Sequence, residues 1–569
     1  MLKQIKLESG DVVVIHPQVV GHLSRWIDSL FRASKNLSKF GILSALILDT
    51  EKKIYFHGGF FAPHFATPLS FGMGEDYLGQ YPGTRQVDVV PLYCAIISKK
   101  LVDKFGVPET LGTSIFEDAN YCLQAAANGF RIYTTDKLAV IYQGAPRNEK
   151  GMQKFAQSFA SEGNAFENRW GAIINSHYKY PTLFMAKVTG PSGFANVARN
   201  YIRGLRDNGV KVFFEPLDTV LESVEPTEDE VVNAIFAERG DMYMPQITWG
   251  QAPYFIKNSG TYKIGHCEFE ATEAPESWVR YCNMMDELWV PTEWDRKKFV
   301  KAGVNVPIYI IHQGIDPNYF HPDYAPMQTD ATETFKFLVN AAWFPRKNLH
   351  NLIVAFQSEF RRGEDACLII KTVNLGLNKG IKEELKAIKD DPDSANVYVK
   401  EQVLPACQLP SLYTMADCFV LPTRGEAWGL PLFEALACGV PVITTGFGAP
   451  NETLRDKKGK PYPGVHFTDY KEVIARSPYV YLEGKKWAEP NMIQLAKQMR
   501  FVFGHRREEK AKALETSKII RQKFSWKNVT LPMKARLIDI YKNKLGAEQR
   551  EDMEPTKITV LKPNEKSTS

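Results

Sequence analysis

From Phe335 to Thr444 the chain alternates short apolar runs with runs of helical spacing, and this alternation limits the fold more than any other feature. Phe335–Val339, Cys367–Thr372, Ala395–Val399, Cys418–Leu421 and Val440–Thr444 read as strands. Asn351–Phe360, Ile381–Lys389, Leu409–Ala416 and Pro431–Cys438 lie between them and read as helices. Apolar strands separated by helices require a parallel sheet covered on both faces. A second stretch begins the same way, with strand Phe184–Val188, Gly-rich turn Thr189–Gly193, helix Phe194–Asn208 and strand Val210–Phe214. That is the opening of a βαβ unit. The expectation is an α/β chain with two Rossmann-like domains in tandem. Ligands bind outside the carboxyl ends of such strands, so the functional loops belong on the lips of a cleft between them.

At ~150 residues per domain, a chain of 569 residues has room for three or four domains. A front unit, residues 1–146, holds strand-like runs at Val12–Ile15 and Ile42–Leu48. Between these, Leu23, Trp26, Ile27, Leu30 and Phe31 recur at helical spacing, with Arg25, Arg32, Lys35 and Lys39 around them. Such a helix packs on a core, and its basic edges also suit a membrane surface. A polar helical connector is expected over 147–182. The two Rossmann-like domains follow at 183–325 and 326–544, and 545–569 reads as a disordered tail.

Hydrophobic residues make up 44% and charged residues 24%, which excludes a disordered, collagen-like or coiled-coil protein. With 70 basic and 65 acidic residues the charges nearly cancel, so no nucleic-acid partner is expected. The eight cysteines lack the paired spacing of a disulfide framework or zinc site and read as thiols of a reducing compartment. Met1–Gly10 lacks a signal-peptide layout, and no apolar run approaches the ~20 residues that span a bilayer. The expected location is cytoplasmic, with the membrane surface left open by the basic-edged helix.

The stretch Leu421–Glu452, LPTRGEAWGLPLFEALACGVPVITTGFGAPNE, carries the chemistry. Pro431 suits the first residue of a helix, where its missing N–H costs nothing, and Gly439 suits the position just past its end. The backbone N–H groups around Gly429, Leu430 and Leu432 then meet a phosphate oxygen. Glu426 sits in the loop and Glu434 in the first helical turn. Two carboxylates flanking a phosphate make sense as acceptors of hydroxyl hydrogen bonds, one from a ribose and one from a sugar.

A Glu, seven residues, a second Glu, a small-residue helix and a Gly-Val-Pro-Val-Ile strand resemble the signature of group 1 retaining glycosyltransferases of the GT-B fold. Here these are Glu426, Glu434 and Gly439–Ile443. The resemblance extends in order from about Phe184 to Lys544. Asp286–Phe299 and Gly303–Phe320 match the strand and linker between the family's two domains, and Trp343–Phe356 matches its diphosphate loop. It implies that Glu426 contacts the donor sugar and acts in catalysis, that Glu434 holds the ribose, and that Trp428, Gly429 and Leu430 meet sugar and diphosphate. Lys347 falls on the family's Lys, which neutralises the leaving diphosphate. The family's Arg is replaced by the Ala341–Trp343 stretch; Arg346 is the candidate to substitute and is counted with the donor-binding residues, although a neighbouring position on a loop points elsewhere. Gly190 and Gly193 resemble the Gly-rich acceptor or phosphate loop of the other lip. His266 falls where the family carries a catalytic His near the donor sugar, with Glu268, Glu270 and Glu273 close by.

The stretch from Asp88 to Gly144 resembles the C-terminal half of a group 2, GT-A glycosyltransferase. Glu117-Asp118 stands at its acid pair, read here as vestigial, with Asp118 on the base position. The metal-binding Asp pair is reduced to Asp11, and Gln143 stands at the metal-binding His. The front unit is therefore expected to be a truncated GT-A-like half with no transfer activity of its own. The expected activity is retaining transfer of a hexose from a UDP- or GDP-sugar to a hydroxyl acceptor, in glycan or surface-polysaccharide synthesis. No metal or further cofactor is required. A non-catalytic glycan-binding scaffold and a nucleotide-sugar epimerase are the alternatives. Acceptor identity and oligomeric state are left open by the sequence.

Overall fold

The computed structural model describes residues 2–61, 66–79, 81–144, 149–190, 192–217, 244–373, 380–477 and 480–545, with the side chains of 149–158 excepted. All but the first residue of the expected tail lies outside this set.

Two six-stranded, all-parallel sheets occupy the middle and end of the chain. The first runs in the order Val210–Pro216, Lys179–Ala186, Gln246–Trp249, Lys263–His266, Glu287–Val290, Ile308–Ile310. The second runs Val397–Glu401, Ala366–Thr372, Phe335–Asn340, Cys418–Leu421, Val442–Thr445, Val465–Thr468. The first strand in sequence, Lys179–Ala186 in one sheet and Phe335–Asn340 in the other, lies inside its sheet, second and third from an edge, and the strand order reverses there, the doubly wound topology expected of tandem Rossmann-like domains. The strands read as unbroken apolar runs because both faces are covered. Phe337, Leu338, Ile369, Ile370, Phe419 and Val420 are all fully buried. These two sheets are the GT-B architecture that the sequence suggests. One boundary moves: the first strand of the first parallel sheet begins at Lys179, inside the segment assigned to the connector.

The front unit is a mixed eight-stranded sheet with its own core of Val13, Leu43, Ile96, Phe116 and Ile132. Among the described residues only Phe40–Leu48 and Arg131–Tyr142 pair in parallel; the other pairings of this sheet are antiparallel. The helix Leu23–Ser34 buries Trp26 and Leu30 against this sheet, so its apolar stripe is used in packing. The connector is the helix Glu149–Ser176. All eight cysteines are buried. Among the described residues no helix is long and apolar enough to cross a membrane.

The front unit is joined closely to the crossover between the two parallel sheets. Tyr81 donates its N–H to Asn318 and its hydroxyl to that of Tyr319 at 2.9 Å, and the Tyr319 hydroxyl donates to Glu75 at 2.7 Å. The Arg206 guanidinium, on the helix Gly193–Asp207, stacks 4.0 Å from the ring of Phe60.

Candidate functional site

The two parallel sheets meet where the loop after Lys263–His266 touches the loop after Cys418–Leu421. Gly425 makes the contact: a Cβ there would lie 2.2 Å from the carbonyl oxygen of Glu270, so only glycine lets the two backbones approach this closely. Ala488 donates its N–H to Arg424 on the same loop, and Arg424 pairs with Glu489 at 2.6 Å.

Glu426 is the centre of the cluster. Its carboxylate receives Lys347 Nζ at 2.6 Å and Thr423 Oγ1 at 2.9 Å, with Arg346 at 3.4 Å. Burial alone would raise its proton affinity, but Lys347 and Arg346 outweigh that and hold the carboxyl below the usual range. Arg346 does not point elsewhere. The short 3-10 turn Pro345–Lys347 sends both side chains to the same carboxylate, and Arg346 also donates to the Gly425 carbonyl and pairs with Glu270 at 3.0 Å. One guanidinium thus bridges a carboxylate from each domain.

Glu268 and Glu270 leave the same strand end. Glu268 accepts from Gln313, and burial, with Glu270 and Asp295 nearby, raises its pKa to about 8. Beneath the loop a buried Lys298–Asp295 pair, 2.9 Å apart, anchors Phe269 through a lysine hydrogen bond to its carbonyl. Glu273 lies away from this cluster, on the surface with Lys301.

Glu434 stands deeper than expected. The helix spans Leu430–Ala437, one residue earlier than its sequence reading, so Glu434 is its fifth residue and lies in the second turn. It is 6% exposed and accepts the Tyr413 hydroxyl at 2.6 Å, while Asn340 donates to the same hydroxyl at 3.0 Å. Burial raises its pKa to about 7 against the opposing effects of Tyr413 and Lys371. Tyr413 and Lys371 escape sequence reading because helix and strand each place one residue here with no local pattern.

Gly429 caps the helix start in the left-handed conformation, φ 91°, and among the described residues no side chain caps the N-terminus. That leaves the dipole end to an anion. The Leu432 N–H is not available as expected, since it donates to the Gly429 carbonyl. Trp428 is buried, stacked on Phe433 with centroids 4.8 Å apart, and its indole N–H has no hydrogen-bond partner among the described residues.

His266 does not join the carboxylate cluster. It is fully buried among Tyr201, Trp249 and Trp289, neither ring nitrogen has a hydrogen-bond partner among the described residues, and burial lowers its pKa to about 3. Gly190 needs its positive φ of 83°, whereas Gly193 is the first residue of its helix; both have open space where a Cβ would stand. In the front unit Asp118 is buried and accepts the N–H groups of Leu92 at 2.8 Å and Gly112 at 2.7 Å, while Glu117 is partly exposed. Asp11 is held in a hairpin turn by Ser9 and the Lys99 N–H.

Residues 326–485 match the family model described as Glycosyl transferases group 1. A GDP-mannose-dependent alpha-(1-6)-phosphatidylinositol monomannoside mannosyltransferase of Mycolicibacterium smegmatis is 28% identical over 37% of this chain and 60% of its own length. A probable sucrose-phosphate synthase of Thermosipho melanesiensis is 27% identical over 26% of this chain and 35% of its own length. The chain thus spans less than two thirds of either relative. Among solved structures, sucrose-phosphate synthase from Thermosynechococcus elongatus aligns with a TM-score of 0.47 and 13% identity, over 64% of this chain and 100% of that one. The stretch that matches the group 1 glycosyl transferase model is the one that holds Lys347, Glu426 and Glu434.

Proposed function

We propose that the protein is a retaining glycosyltransferase that moves a hexose from a nucleotide diphosphate-sugar to an acceptor hydroxyl, in glycan or surface-polysaccharide synthesis. The observation that carries this reading is the pairing of an uncapped helix start at Gly429 with a carboxylate on each side of it, Glu426 clamped by two cations and Glu434 held by Tyr413. The diphosphate sits at the helix start, Glu434 takes the ribose hydroxyls, and Glu426 faces the sugar. Binding of the diphosphate recruits Lys347 and Arg346 as counter-charges for the leaving group, so no metal is required. The donor is a UDP- or GDP-sugar. No residue is assigned as a covalent nucleophile; front-face displacement, with the leaving phosphate taking the acceptor proton, retains the configuration.

We read the front unit as a GT-A-like half without transfer chemistry of its own, since Asp118 spends its oxygens on backbone N–H groups. His266 enters the reaction only if the aromatic residues around it part. The protein works in the cytoplasm, at or near the membrane where its glycan is built. Incubation with UDP- and GDP-sugars tests the reading: nucleoside diphosphate release should depend on a glycan acceptor, and the product should keep the donor's anomeric configuration. Isomerised sugar formed without acceptor would make the protein an epimerase, and an inverted product would remove the retaining mechanism.

A further inference from the structure

Strands Tyr470–Ile474 and Lys486–Pro490 pair as a two-stranded antiparallel ribbon outside both parallel sheets. The ribbon follows the last strand of the second parallel sheet in sequence, yet it packs on the first. Ala475, Leu482 and Trp487 are buried in one cluster with Phe269 and Trp278, and the Tyr481 ring lies 6.0 and 5.9 Å from those two rings. Thr272 closes the seam by donating its N–H and hydroxyl to the Lys486 carbonyl, at 2.9 and 3.1 Å. Across the cleft, Glu452 accepts the N–H groups of Glu293 and Trp294 at 3.0 and 2.8 Å, at the start of the helix Glu293–Ala302.

Under this ribbon lies a chamber of about 620 Å³, lined from both domains. It adjoins the Glu426 cluster in two places. Gly448, in its wall, presses on the Glu426 backbone, where a Cβ would stand 2.7 Å from the Glu426 carbonyl oxygen. Thr272, also in its wall, follows Glu270 by two residues. Three rings form one side of the chamber: Trp294 meets Phe447 at 5.4 Å, and Phe447 meets Tyr470 at 5.2 Å, both edge-on. Tyr470 is 40% exposed. The charges of the lining cancel, with Lys297, Lys301 and Lys486 against Glu273, Glu452 and Glu472. Most of them are engaged: Glu273 with Lys301, Glu472 with Lys486, and Glu452 at the helix start.

Aromatic faces framed by hydrogen-bonding groups, with no net charge, suit a neutral saccharide: its C–H faces lie on the rings and its hydroxyls find polar partners. We propose that this chamber is a subsite for a neutral oligosaccharide acceptor, with the ribbon as its specificity-determining element. The acceptor role rests on the transfer reading above; the saccharide binding does not.

The test is saturation-transfer NMR of mannotriose, maltotriose and chitotriose with the full-length protein and with Tyr470→Ala and Tyr470→Phe, beside calorimetric titration of UDP and GDP. The wild type should bind at least one trisaccharide. Tyr470→Ala should weaken that binding about tenfold, Tyr470→Phe should retain it, and all three proteins should bind the same nucleotide equally. A wild type that binds none of the three, or a Tyr470→Ala variant that binds as the wild type does, overturns the proposal. Trisaccharide binding that follows the expected pattern without any nucleotide binding leaves the chamber standing and removes the donor reading instead.

Discussion

Glu434 and Glu426 carry the same charge in the same domain, and their surroundings drive them apart. Glu426 is kept ionised by Lys347 and Arg346, whereas burial raises Glu434 to about 7. Glu434 has a folded pKa above its ordinary 4.5, so its stabilising contribution is complete below that value and fades as the pH rises through about 7. Ribose binding needs the ionised form and has the opposite slope. Nucleoside diphosphate affinity should therefore rise through pH 7 in the wild type, and this rise should flatten in Glu434→Gln; calorimetry at pH 6 and pH 8 reads it. Lys347 offers a second check. Breaking a buried ion pair by removing one partner costs about 3–5 kcal/mol, because the remaining charge is stranded. Here Arg346 stays beside Glu426, so Lys347→Met should cost less than that range in denaturant unfolding, and the double variant Arg346→Met/Lys347→Met should cost more than the two single changes summed.

The loop Thr423–Gly429 and the turn Pro345–Lys347 form one unit, since Arg424 donates its N–H to the Arg346 carbonyl and Thr423 contacts the same oxygen. Gly425 is the place where this unit touches the other domain, so Gly425→Ala should lower turnover severely while the fold survives. Unchanged far-ultraviolet circular dichroism with lost donor turnover is the expected pair of results. The elements themselves were legible in the sequence. Alternating apolar and helical runs place the strands of the second parallel sheet to within two residues, because a strand buried on both faces admits little but Val, Ile, Leu and Phe, whereas the strand read as Phe184–Val188 begins five residues earlier, at the polar Lys179. Glu426 and Glu434 were legible as a pair for the same local reason, a helix start marked by Pro431 and ended by Gly439. Their depth was not. The left-handed Gly429 starts the helix at Leu430, and that single-residue shift carries Glu434 into the second turn, beneath Tyr413. Nor could the convergence of Arg346 and Lys347 be read, since it depends on a loop 79 residues away in sequence. The ribbon over Thr272 was missed altogether, because its apolar residues pack on a partner some 200 residues earlier.

The three sheets behave as one molecule wherever the front unit holds the crossover. Phe60 of the front unit lies in the same core cluster as Phe184, Tyr201 and Phe337 of the parallel sheets. The Tyr81–Tyr319–Glu75 chain joins the front unit to the segment that links the two parallel domains. Thermal unfolding of the whole chain should accordingly be concerted between the front unit and that crossover. Tyr81→Ala, which empties a fully packed position at 3% exposure, should cost about 3 kcal/mol or more and split the transition, as calorimetric scanning would record. Everything in the proposed chemistry meets at one cleft, and the donor comes first. Calorimetric titration of UDP, GDP, ADP and CMP into the wild type and into Glu434→Ala should find tight binding of one diphosphate by the wild type and its loss in the variant. Binding of none of the four, or equal binding by both proteins, would contradict the assignment of this cleft as a nucleotide-sugar site.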